Sequence, residues 1–80
     1  MKLTKGSVVT AVAGRDSGAQ FVVIGLEEGF CFIADGKSRK LDKPKRKNIK
    51  HIRTTDSMID LNDITDKKLR RLLRELGSAE

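Results

Sequence analysis

Eighty residues make one domain at most. A chain this short hides only about 60–65% of the surface that its unfolded form exposes, which excludes a two-domain enzyme or a large cofactor pocket. Apolar residues are 38% and charged residues 35%, a globular composition with a small core under a heavily charged surface. Seventeen Lys and Arg against eleven Asp and Glu leave a net charge of +6 and a pI near 9.8, the electrostatic footprint of a nucleic-acid binder. Trp and Tyr are absent and only Phe21, Phe30 and Phe32 are aromatic, which argues against a surface that stacks bases on several exposed rings.

Residues 7–13 are small and β-branched and stop at Gly14, so they read as a first strand. The loop 14–18 has a glycine at each end, where the backbone takes positive φ, and Asp16 is expected to accept backbone hydrogen bonds within it. Residues 19–26 form a second strand, apolar on both faces at its centre. A central barrel strand covered on its outer face accounts for that, and Gly25 suggests a bulge or a sharp bend. Residues 30–34 make a third strand. Asp35-Gly36 is a two-residue type I′ hairpin signal, leading to a fourth strand over 37–41 that Pro44 breaks. Residues 48–54 make a fifth. Five short strands at turn spacings of 8–12 residues indicate a small antiparallel barrel.

Residues 55–64 read as an acidic linker. Thr65 is the N-cap of a helix over 66–76, with Asp66 facing its positive end and Gly77 as the stop. Leu69, Leu72, Leu73 and Leu76 fall at i, i+3, i+4 and i+7, a helical stripe. It is expected to pack on the open end of the barrel, the alternative being a partner. Lys67, Arg70, Arg71 and Arg74 lie on the opposite face. The domain reading is thus a barrel over 1–54, a linker over 55–64 and an amphipathic helix over 65–77.

The charge is concentrated. Residues 37–53 carry nine bases and one acid, whereas residues 54–66 carry four acids and no base. A charge run is usually a solvated face or tail, but Leu41, Ile49 and Ile52 interrupt this one and tie it to the fold. The candidate phosphate-binding residues are Arg15, Lys37, Arg39, Lys40, Lys43, Lys45, Arg46, Lys47, Lys50 and Arg53. Arginine can hold a phosphate bidentately and lysine acts as a point charge. Asn48 and His51 are the candidates for 2′-hydroxyl or base contacts; an ordinary surface or half-buried histidine is the other reading of His51.

Catalysis finds little footing. A single histidine supplies one ligand at best to a metal site. Cys31 between two phenylalanines reads as a buried small hydrophobe. The Asp56, Asp60 and Asp63 spacings fit no calcium loop, no Ser-His-Asp set can be assembled, and Gly14–Gly18 lacks the ending of a Walker loop. The expectation is no enzyme, no cofactor and no small-molecule substrate. One cysteine allows no internal disulfide and fits a reducing cytosol. The N-terminal residues lack a signal-peptide core, and the longest apolar stretch falls far short of the ~20 residues of a membrane span. A cytoplasmic protein, monomeric when free and not held in a membrane, is expected.

Gly6, Val8-Val9, Gly14–Gly18, Val22-Val23 and Asp35-Gly36 together resemble a KOW motif. The continuation Arg39-Lys40-Leu41, with the run from Pro44 to Ile52, resembles a narrower group, the small bacterial KOW-domain RNA-binding proteins, similar to the fourteen-e family of large-subunit ribosomal proteins. The resemblance covers about residues 6–53. It implies a mostly β fold, an SH3-like five-stranded antiparallel barrel, here with one C-terminal helix, and it implies binding to RNA, above all rRNA or the ribosome. In KOW ribosomal proteins the loop between the first two strands touches rRNA. Here that loop is short and Arg15 is its only base, which moves the expected main contact to residues 37–53. Without stacking aromatics, structured RNA read by shape is the expected target. Two other readings stand beside it: a protein-interaction module of SH3 type, for which the aromatic-lined groove is missing, and a KOW-type transcription or translation factor.

Overall fold

The computed structural model describes residues 3–15 and 17–77. The expected turn role of Asp16 lies outside them. The elements are β1 (Ser7–Ala11), β2 (Gln20–Glu27), β3 (Phe30–Ala34), β4 (Lys45–Asn48), a single 3₁₀ turn (Ile49–His51), β5 (Ile52–Met58) and α1 (Asp66–Gly77). The five strands form one antiparallel sheet in the order β4-β3-β2-β1-β5, curled into an SH3-like barrel.

β2 is apolar on both faces because it separates two cores. Phe21 and Val23 point into the barrel with Val9, Ala11, Cys31 and Ile33. Val22 points outward and joins Val8, Ala34 and Ile59 under Leu69 and Leu73 of α1. The helix therefore lies against the outer face of β1, β2 and β3, not over the open end of the barrel. The physical reason is on the strands themselves: Val8, Val22 and Ala34 pair across the ladder on one face and would otherwise be apolar surface in water. Val23 and Gly25 flank a register shift against β3, the bend expected at Gly25.

The fourth strand lies later than its expected place. Residues 35–44 form a loop, and β4 begins after Pro44. The N–H groups of Lys37 and Arg39 donate to Asp35 Oδ1, both at 2.8 Å. The N–H groups of Asp35 and Gly36 both donate to the Arg39 carbonyl, at 2.9 and 3.0 Å. These bonds satisfy the backbone locally and curl it away from a strand. There is thus no tight two-residue hairpin at Asp35-Gly36. The loop instead holds the helix: Leu41 N–H donates to Asp66 Oδ1 at 2.8 Å, and Gly36, at φ +77, lies so close to the Asp66 carbonyl that a Cβ there would collide with it. β5 runs to Met58, into what reads as linker in the sequence. Thr65 caps α1, its Oγ1 accepting from Lys68 N–H at 3.1 Å.

Candidate nucleic-acid interface

The structure divides the basic block 37–53 among four settings. Lys37, Arg39, Lys40 and Lys43 are exposed on the curled loop between β3 and β4. Lys45, Arg46, Lys47 and Asn48 form β4, an edge strand. Lys50 and His51 are exposed on the 3₁₀ turn, and Arg53 is exposed at the start of β5.

β4 does not present its residues as one face, because side chains alternate along a strand. Arg46 is on the outer side, where its guanidinium lies 3.6 Å from the centroid of the Phe30 ring and its Nε donates to Glu27 Oε1 at 2.6 Å. Lys45 is half-buried. Lys47 points inward and is only 8% exposed; its Nζ donates to the Ala13 carbonyl at 3.2 Å. The expected placement of Lys47 on the RNA face is therefore corrected. Its stem packs inside while its ammonium holds the end of β1 to the edge strand, an arrangement open to a long amphipathic side chain. Beside it the Cys31 thiol is fully buried and donates to the Lys47 carbonyl at 3.7 Å. Burial pushes this thiol above its ordinary pKa, with the Lys47 charge opposing.

Asn48 also has structural work. Its Oδ1 accepts from Lys50 N–H at 2.9 Å and caps the 3₁₀ turn. Sequence reasoning missed the pairing of Arg46 with Glu27, which lies across the β2–β3 hairpin, nineteen residues away; no local spacing signals such a contact.

One set of candidates does converge. The Val12 N–H donates to the His51 carbonyl at 2.9 Å, and Thr10 pairs with Arg53 across the β1–β5 ladder. These bonds bring the β1–β2 loop with exposed Arg15 beside the 3₁₀ turn and the first residues of β5. Gly14 and Gly18 at the ends of that loop have φ of +80 and +89, and Gly18 N–H donates to the Ala11 carbonyl at 2.7 Å. Arg15, Lys50, His51 and Arg53 thus belong to one neighbourhood that the fold assembles from three segments. It is cationic, solvent-facing and without an aromatic ring, so it suits phosphate rather than stacked bases.

Fold and surface together define the class: a small basic SH3-like barrel with cations on its loops, its edge strands and the helix docked on it. Over 77 residues the chain is 32% identical to the large ribosomal subunit protein eL14 of Staphylothermus marinus, covering 94% of this chain and 80% of that protein. It is 32% identical to eL14 of Pyrobaculum calidifontis over 94% of the chain and 75% of the relative, and 29% identical to eL14 of Saccharolobus islandicus over 94% and 80%. No family model matches the chain. The chain belongs to the eL14 family of large ribosomal subunit proteins. The matched length takes in the C-terminal helix, which the motif resemblance left out. These relatives are archaeal, and they give the narrower expectation of a bacterial group no support.

Proposed function

We propose that this protein binds rRNA in the large ribosomal subunit and has a structural, non-catalytic role there. The observation that carries the reading is similarity to eL14 proteins along nearly the whole chain, helix included. The surface supports it. Exposed lysines and arginines on the β1–β2 loop, the β3–β4 loop, the 3₁₀ turn and β5 neutralise phosphates and release counterions. Arg15, Lys50 and Arg53 are the central contacts, and Lys37, Arg39, Lys40 and Lys43 extend them. Arg46 is held in place by Phe30 and Glu27, so it meets RNA with little rotamer entropy left to lose. Among the described residues no helix is long and apolar enough to cross a membrane.

Sucrose-gradient sedimentation of a lysate from cells producing the tagged protein tests this. At low salt the protein is expected to travel with the large subunit, and at high salt to be released toward the top. A protein that stays at the top of the gradient at low salt overturns the reading.

A further inference from the structure

A second cationic surface lies along α1, with Gly18 of the β1–β2 loop at its edge. Docking of the leucine stripe leaves Lys67, Arg70, Arg71 and Arg74 at i, i+3, i+4 and i+7 along one side of α1. That side borders an open groove of about 1190 Å³ between the helix and the barrel, lined also by Lys68 and by Lys37 of the β3–β4 loop. Thr10 and Gln20, paired across the β1–β2 ladder, line the barrel wall of this groove.

We infer that this groove holds a stretch of RNA sugar–phosphate backbone, as a contact separate from the one built around Arg15, Lys50 and Arg53. The inference rests on the rRNA-binding reading above. Among the described residues six cationic side chains line it, and the one carboxylate in that lining, Asp35, already accepts two backbone N–H groups. Arg71 has Glu75 one turn away at 3.7 Å, with both side chains more than half exposed. A solvated pair of that kind is worth little and yields readily to a phosphate. Among the described residues no aromatic ring lines the groove, so it offers bases nothing to stack on, while Thr10 and Gln20 supply neutral hydrogen-bonding groups suited to 2′-hydroxyls. The helix advances about 10 Å from Lys67 to Arg74 at 1.5 Å per residue.

The surface is also joined to the other contact. Arg53 is opposite Thr10 in the β1–β5 ladder, and Thr10 is opposite Gln20 in the β1–β2 ladder. Arg53, Thr10 and Gln20 therefore form a polar row on one face of the sheet, leading from β5 to the groove. A single structured RNA can follow that row and meet both cationic regions.

The test compares two triple variants with the wild type for binding to purified large-subunit rRNA across a range of salt. Lys67→Gln with Arg70→Gln and Arg71→Gln removes charge from the groove. Arg15→Gln with Lys50→Gln and Arg53→Gln removes it from the other surface. Each lost phosphate contact lowers the log–log salt slope by about one. The groove variant is expected to lose two to three units of slope and about tenfold or more in affinity at low salt, with an unchanged thermal melt. Arg70→Lys with Arg71→Lys, which keeps the charge, is expected to retain the slope. If the second triple variant weakens binding while the groove variant matches the wild type in affinity and slope, the groove inference is overturned and the rRNA reading stands. If the wild type itself does not bind rRNA, both are overturned.

Discussion

Lys47 shows how far a residue's role can depart from its neighbours' in a basic run. It sits between Arg46 and Asn48 in a stretch that reads as uniformly cationic, yet it is buried and bonded to the Ala13 carbonyl. Lys47→Ala is expected to cost about 1–3 kcal/mol, through the lost hydrogen bond and the lost packing of its stem. Chemical denaturation measures this, and a variant as stable as the wild type but weak in RNA binding would return Lys47 to the surface. The buried Cys31 thiol carries a pH prediction. Its pKa is raised in the fold, so the folded state keeps its proton longer than the unfolded chain does. The stability it contributes is complete below the ordinary thiol range and is lost as pH rises through the folded value. Wild-type protein is therefore expected to lose more stability than Cys31→Ala between about pH 8 and about pH 10. Equal losses in the two proteins would refute the account.

At the level of elements, α1 and the β3–β4 loop act as a pair. An isolated helix of twelve residues would be marginal in water; this one is held by its leucines and by the loop. Leu69 is fully buried and Leu72 only half-buried, so Leu69→Ala is expected to cost about 2–5 kcal/mol and Leu72→Ala distinctly less. Urea midpoints give the order, and the reverse order would mean that the stripe is rotated from the position described. Gly36→Ala strikes the joint itself. The substitution needs positive φ from an alanine and drives a Cβ into the Asp66 carbonyl, so a loss of more than about 1 kcal/mol is expected. An unchanged melting temperature would show that the loop and helix do not touch there. The leucine spacing was readable because helical periodicity is local. The curled loop was not, because it depends on Asp35 bonding to Lys37 and Arg39 and on Asp66 bonding to Leu41 across twenty-five residues.

For the molecule as a whole, two apolar clusters lie on opposite faces of one sheet, within extents of 28 × 27 × 25 Å. So small a body has little interior for a ligand, and its binding capacity lies on the surface. Affinity for rRNA is accordingly expected to fall with salt, with a log–log slope of several units set by the number of phosphates neutralised. Filter binding between about 50 and about 200 mM salt measures it. A nearly flat dependence would point to contacts that are not electrostatic and would remove the basis for assigning the cationic surfaces to RNA.

The first three strands, the antiparallel barrel, the bend at Gly25, the Thr65 cap and the helix with its leucine stripe were determined by the sequence, whereas the fourth strand lies at Lys45–Asn48 and not over 37–41. Each of the former follows from side-chain alternation, a turn residue or helical periodicity, which act over a few neighbouring positions. Tertiary structure decided which lysines remain on the surface. The alternation of β4 turns Lys47 inward and Arg46 outward onto Phe30 and Glu27. Tertiary structure also decided the helix's resting place, since only pairing of β1, β2 and β3 assembles Val8, Val22 and Ala34 into one outer apolar face. From that docking follows the position of Lys67, Arg70 and Arg71 beside Lys37, which are about thirty residues apart in the chain and form one basic groove in the fold. Net charge is a property of the sequence; where that charge meets a phosphate is set by strand register and by the face on which the helix lies.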